Sequence, residues 1–286
     1  MPTVQSPTVR RRELAARLRT LRKEAGLSVE AVAEQLMCST TKISRIETAQ
    51  RAANRRDVRD LCNLYQIHDP DQRNDLMDLV DQAKQRAWWQ DYKEVDPTYR
   101  TLVGLEAAAV SIRQHESILV PGLLQTPEYA RAVTRAVQPD LDIGGVEQRV
   151  EIRQGRQAVL TSANPPKFWV VLDEAAVRRA VGGTAVMQEQ IRRIVEWADL
   201  PNITVQVIPF DAGAHGAMDG AFEILEFSQR EVLDVVYIEG MAGGLYLDRD
   251  ENLIRYRSTF DHLRAIADSP AASSARLVRV AEDLRE

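Results

Sequence analysis

Two cysteines, Cys38 and Cys62, are the whole crosslinking capacity of this 286-residue sequence. They are too few for a disulfide framework, and a reducing cytoplasm is the expected compartment. Histidine is as scarce: His68, His115, His215 and His262 are scattered too widely to suggest a metal site. No apolar run approaches the roughly 20 residues that span a bilayer. The N-terminal MPTVQSPTVRRREL has no apolar core behind its arginines, so it is not a secretory signal. A G-x-x-x-x-G-K-[ST] phosphate loop is missing, as is a G-x-S-x-G nucleophile elbow. These absences point to a cytoplasmic protein with no membrane contact, no cofactor and no recognisable catalytic apparatus. What is present, 44% hydrophobic and 28% charged residues, suits about two globular domains of ~150 residues each.

The net charge of −5 is unevenly spread. Residues 1–68 carry 13 Lys/Arg against 7 Asp/Glu, and the remainder carries 24 against 35. A basic head on an acidic body suggests that the head alone meets a polyanion. Helical periods are clean in that head. Leu14, Leu18 and Leu21 share one face of a helix predicted from about Val9 to Ala25 and closed by Gly26. Ser28 is a predicted N-cap for a second helix with Val32, Ala33 and Leu36 inward, and Ser39 for a third. A fourth, from about Asn54 to Gln66, carries the stripe Val58, Leu61, Cys62 and Tyr65, which makes Cys62 a core residue.

Helices two and three are close enough to form a helix-turn-helix, whose second member enters the major groove. Ile43 and Ile46 would fix that helix inward, leaving Thr40, Thr41, Ser44 and Arg45 outward as candidate base contacts. Arginine can pair with guanine through two donors, and threonine offers a hydroxyl and a methyl. Ser28, Ser39, Lys42 and Thr48 are candidate phosphate contacts, joined by Arg51, Arg55 and Arg56 in what reads as a loop. Arg10, Arg11 and Arg12 either reach the DNA backbone or simply begin the first helix.

The stretch LSVEAVAEQLMCSTTKISRIETAQRAANRRDVRDLCNLY resembles the lambda-repressor/Cro-like (Xre) helix-turn-helix family. That family's S-x-x-x-I-S-R-I-E-x-G pattern falls on Ser39, Ile43, Ser44, Arg45, Ile46 and Glu47. Two positions depart from it: Ala49 replaces the usual glycine after the helix, and Val29 replaces a frequent DNA-contacting glutamine.

Asp69-Pro70 starts a further helix, with Leu76, Leu79, Val80 and Ala83 on one face, and residues 69–92 read as a connector. It ends in Trp88, Trp89 and Tyr92, an aromatic cluster suited to docking the two domains, to a dimer interface or to lining a ligand cleft. From residue 93 the pattern is mixed. Strands are predicted at 117–120, 167–173, 202–210, 220–228 and 232–240, the last two as a hairpin split by Gln229-Arg230-Glu231. Helices are predicted at 98–113, 126–137, 145–161, 184–199, 249–267 and near 271–284, with Thr126 capping the second. The fold class is therefore an all-α N-terminal helix-turn-helix domain (1–68) plus an α+β C-terminal domain (93–286) with a mixed sheet. VGGT and MAGG read as turns or helix breaks. In DAGAHGAMDG, His215 lies near Asp211 and Asp219, but no nucleophile accompanies it, and a loop beside a binding cleft is expected rather than an enzyme.

LEAAAVSIRQHESILVPGLLQTPEYARAV, followed by PNITVQVIPF, HGAMDGAFEILEF and VVYIEG, resembles the large C-terminal domain of actinobacterial WhiJ-like, antitoxin-like regulators. The resemblance implies a DNA-binding transcriptional regulator whose C-terminal domain answers to a small partner protein encoded nearby, or to a small-molecule effector. The alternative it leaves is an antitoxin-like module that mainly sequesters such a partner. A homodimer on double-stranded DNA is expected, because one head reads few base pairs and paired half-sites fit the motif.

Overall fold

The computed structural model describes residues 6–92, 95–228, 232–241 and 243–284. The chain divides into two compact units, Met1–Asp91 with Ser228–Leu233, and Tyr92–Phe227 with Asp234–Glu286. The Gln229-Arg230-Glu231 turn lies outside the described residues. No helix among those described is long and apolar enough to cross a membrane.

The first unit is helical: α1 (Pro7–Glu24), α2 (Val29–Gln35), α3 (Thr40–Glu47), α4 (Arg55–Leu64) and α5 (Pro70–Gln82). Its caps explain where the helices start. Ser28 accepts from the Ala31 N–H (3.1 Å) and Ser39 from the Lys42 N–H (3.1 Å). Asn54 and Asp57 form a reciprocal capping box that opens α4. Leu14, Leu18, Val32, Ile43, Ile46, Val58, Leu61 and Cys62 are buried together, as their periodicity requires. Leu76, Leu79 and Val80 belong to the same core. The segment 69–92, set off above as a connector, thus contributes α5 to this bundle, and the apolar face of α5 is the reason.

The second unit is α+β with one six-stranded mixed sheet, in the order β3-β2-β1-β4-β5-β6. Its strands are β1 (Ser111–Glu116), β2 (Lys167–Asp173), β3 (Ile203–Ile208), β4 (Phe222–Glu226), β5 (Val235–Gly240) and β6 (Gly243–Leu247). β1, β2 and β3 run parallel, and β4, β5 and β6 continue as an antiparallel meander. α6 (Pro97–Glu106) precedes β1; α7 (Pro127–Val137) and α8 (Ile143–Gln157) link β1 to β2. α9 (Glu174–Arg178) and α10 (Thr184–Ala198) link β2 to β3, and α11 (Asp250–Ile266) and α12 (Pro270–Asp283) close the chain.

Three expectations are corrected here. The first strand is SIRQHE at 111–116, not the SILV run at 117–120, and the helix expected over 98–113 stops at Glu106. MAGG is not merely a turn, because Gly243 and Gly244 begin β6. The short α9 had no separate signal. The PGLLQTPEY stretch is held by buried amides: Gln190 Oε1 accepts from the Thr126 N–H (2.7 Å), and Gln190 Nε2 donates to the Leu124 carbonyl (2.7 Å). The Tyr129 hydroxyl accepts from the Val120 N–H (3.1 Å). At the sheet's margin the Ser273 hydroxyl accepts from the Val207 N–H (2.9 Å), so α12 satisfies an edge donor of β3.

Candidate nucleic-acid interface

The turn between α2 and α3 is tight. Cys38 N–H donates to the Ala33 carbonyl (2.9 Å), and Met37 adopts a left-handed backbone (φ 47°) with its side chain exposed. That geometry sets Ser39 as the cap of α3. Ile43 and Ile46 are each 2% exposed and pin the helix to the core. A third inward residue is charged. Glu47 accepts from Arg22 Nε (2.7 Å) and NH2 (2.9 Å), while Arg22 NH1 donates to the Leu27 carbonyl (2.7 Å). The hydrogen bonds to Glu47 raise the Arg22 pKa further. One arginine of α1 therefore ties the end of α3 to the loop before α2. Glu47 stands on the inward side beside Ile43 and Ile46, and a charge there needs a partner; the sequence held that signal but not the partner's identity.

The outward side of α3 presents Thr40, Thr41, Ser44 and Arg45, all exposed. Arg45 makes no ion pair among the described residues. Ser28 and Ser39 use their lone pairs as caps; the Ser28 hydroxyl also bonds the Glu30 carboxylate, which leaves Ser39 the freer proton to donate. Thr48 spends its hydroxyl on the Ser44 carbonyl (2.9 Å), and Lys42 Nζ is held by Asp57 (2.6 Å). Arg51 is exposed in the loop after α3. Arg55 and Arg56 are not in that loop: they are the first two residues of α4, because Asn54 caps it. Arg55 is ion-paired with Asp81, whereas Arg56 is 83% exposed and only 3.9 Å from Asp60 at closest. Among the three arginines Arg51 and Arg56 are the freer cations.

The two departures from the family pattern have structural outcomes. Ala49 keeps the left-handed turn (φ 56°) that glycine would adopt without strain. Val29 packs against the bundle core, so this position contributes burial where a glutamine would offer a polar contact. Of the N-terminal arginines, Arg10 lies within α1 and pairs with Glu13, which also holds Arg17 (3.0 Å). Arg11 is largely desolvated, which lowers its pKa.

The aromatic and histidine residues proposed for a cleft divide between the units. Trp88 and Trp89 stack edge-to-face on each other in the first, at 5.7 Å between centroids. Tyr92 and His215 belong to the second. His215 Nε2 meets Asp173 Oδ2 (3.3 Å), Nδ1 accepts from the Ala217 N–H (3.3 Å), and the ring stacks on His115. Its partner is thus Asp173 at the end of β2, while Asp211 and Asp219 are exposed.

Comparison with known families follows this division. A family model described as a helix-turn-helix domain matches residues 13–76, α1 into α5. A second, described as a domain of unknown function (DUF5753), matches residues 99–279, well over half the chain. No curated protein and no solved structure matches. The first unit is accordingly a helix-turn-helix domain of the DNA-binding kind.

Proposed function

Since the chain belongs to the family defined by the domain of unknown function DUF5753, here behind a helix-turn-helix domain, we propose that it is a sequence-specific transcriptional regulator of the Xre type. The observation that carries this reading is the outward face of α3. It combines an unpaired arginine with two threonines and a serine, on a helix clamped from behind by Ile43, Ile46 and the Arg22–Glu47 pair. Thr40, Thr41, Ser44 and Arg45 read bases. Arg51 and Arg56 hold phosphate, with Ser39 donating from the N-terminus of α3; Ser28, Lys42, Thr48 and Arg55 are secondary because their donors are already engaged. The protein binds as a homodimer, one head per half-site. The DUF5753 unit is the receiver of a partner or ligand that modulates DNA binding.

Fluorescence anisotropy on duplexes tiling the regulator's own promoter tests the reading. At least one fragment should bind about 10³-fold more tightly than scrambled DNA at physiological salt. Arg45→Ala should cost about 1–3 kcal/mol on that fragment and little on scrambled duplex. Equal loss on both would reduce Arg45 to a phosphate contact, and equal affinity for all duplexes would defeat the proposal.

A further inference from the structure

One face of the second unit's sheet is polar at its centre. Gln114 on β1, Glu223 on β4, Tyr237 on β5 and Tyr246 on β6 are successive cross-strand partners, so their side chains form a row on one face. Glu116, two residues beyond Gln114, shares that face. The opposite face is apolar, with Phe222, Ile224 and Val236 packed against Leu253, Phe260 and Leu263 of α11. The polar row lies on the side of α6 and α8: the Tyr246 hydroxyl donates to the Thr98 carbonyl of α6 (2.7 Å). Arg156 of α8 is buried there, each of its three nitrogens bonded, to the two oxygens of Glu106 and to the Tyr99 hydroxyl.

Charge does not balance in this place. The field of Arg156 reaches Glu116 and Glu223, but its hydrogen bonds go to Glu106 and Tyr99; three carboxyls thus face one guanidinium, with Glu239 at the exposed rim adding to their field. Hydrogen bonds do not balance either. Gln114 donates through Nε2 to Glu116 (2.8 Å), but its own Oε1 is buried without a partner, and so is Oε1 of Glu223. These residues are 7% and 3% exposed and stand directly opposite each other in the ladder. Buried acceptors are nearly always bonded; two orphaned ones side by side, where carboxyl groups outnumber guanidinium, suit a donor that carries positive charge.

We propose that the DUF5753 unit binds a small organic cation, an ammonium or guanidinium whose N–H groups donate to Gln114 Oε1 and Glu223 Oε1. A metal ion suits the place poorly, because no group of His, Cys, Asp or Glu among the described residues converges closely enough to hold one. A carboxyl this deeply buried favours a slender amine over a flat protein surface. Tyr237 supplies an aromatic wall. Its ring lies so close over Gly244 that any Cβ there would collide with it, so the glycine is what leaves the ring its place. Without a cation the carboxyls are held protonated. Burial pushes Glu116 up to about 8, and burial together with neighbouring Glu106 takes Glu223 well above the usual carboxylate range. Binding therefore exchanges a carboxyl proton for the cation, with the proton going to buffer.

The inference names the chemistry of the effector in the reading above, and rests on that reading only for its consequence at DNA. Isothermal titration of the full chain at pH 7, without DNA, in two buffers of different protonation enthalpy, tests the site with putrescine, spermidine and agmatine, and with succinate as the anionic counterpart. At least one cation should bind below about 1 mM, with proton release seen as buffer-dependent heat. Glu223→Gln should weaken it at least about tenfold with an unchanged circular dichroism spectrum. Glu116→Gln serves in its place if that variant does not fold. Silence from all three cations, succinate binding as tightly, or undiminished binding by the glutamine variants would overturn the site. In particular, a stable Glu223→Gln chain from a cation-blind wild type would mean that Glu223 is a protonated carboxyl donating to Gln114. Cation binding that leaves DNA affinity unchanged would keep the site and fail the regulatory reading instead.

Discussion

Glu47 is the least conspicuous residue of the recognition helix and the one that fixes its angle. Its carboxylate is buried with Arg22, and breaking a buried pair from one side costs about 3–5 kcal/mol, since the remaining charge stays uncompensated. Glu47→Gln should accordingly lower the stability of the first unit by about 3 kcal/mol in urea titration. Replacing both partners by methionine should recover much of that loss. If the double variant is no better than the single one, the pair is not the source of the cost. A second residue-scale effect is set by pH. Folding raises the Glu116 pKa from its ordinary 4.5 to about 8 through burial, so between those values the folded chain keeps a proton that the unfolded chain gives up. Stability then falls as pH rises through that window. His115, lowered from 6.5 to about 4 by burial, acts in the opposite sense but only below 6.5. Between pH 6.5 and 8 the melting temperature of the native chain should decline, and Glu116→Gln should decline less. Parallel curves across that range would rule out Glu116 as the titrating group.

At the scale of elements, the helical half was legible and the sheet only partly. Serine, asparagine and aspartate caps start α2 to α5, and the i, i+3, i+4 apolar stripes place all five helices of the first unit to within about two residues at the ends that were read, because local chemistry decides a helix end. β1 was hidden: its SIRQHE is polar, and it forms a central strand only because β2 and β4 pair on either side of it. The apolar SILV beside it was the more strand-like text. β6 was hidden by its glycines, which read as a break until β5 offers a partner. Turns carry their own prediction. Met37 and Ala49 flank α3 in left-handed conformations that cost a non-glycine residue about 1–2 kcal/mol. Ala49→Gly should therefore stabilise the first unit, by about 0.5–1 kcal/mol after glycine's extra unfolded-state entropy is deducted. A loss of stability on chemical denaturation would mean that the alanine methyl, nearly buried at 8% exposure, outweighs the strain.

For the whole molecule, the division of charge between a basic head and an acidic body was plain in composition, but what the body holds was not. Gln114, Glu223 and Arg156 come from distant parts of the chain, and only the ladder register and α8 bring them to one face. If a cation at that face changes DNA affinity, thermodynamic linkage makes the effect reciprocal: DNA must change the affinity for the cation by the same factor. A tenfold shift in either direction corresponds to about 1.4 kcal/mol of coupling. This equality separates regulation from a simpler effect, because amines also neutralise phosphate and compete with any basic protein for DNA. Direct competition lowers DNA affinity in the Glu223→Gln chain as much as in the native one and requires no change in the protein's own cation affinity. Coupling through the protein loses its effect in Glu223→Gln and gives matching factors when cation binding is measured with and without saturating operator. Unequal factors in the native chain would place the amine on the DNA and leave the DUF5753 unit to answer to something else.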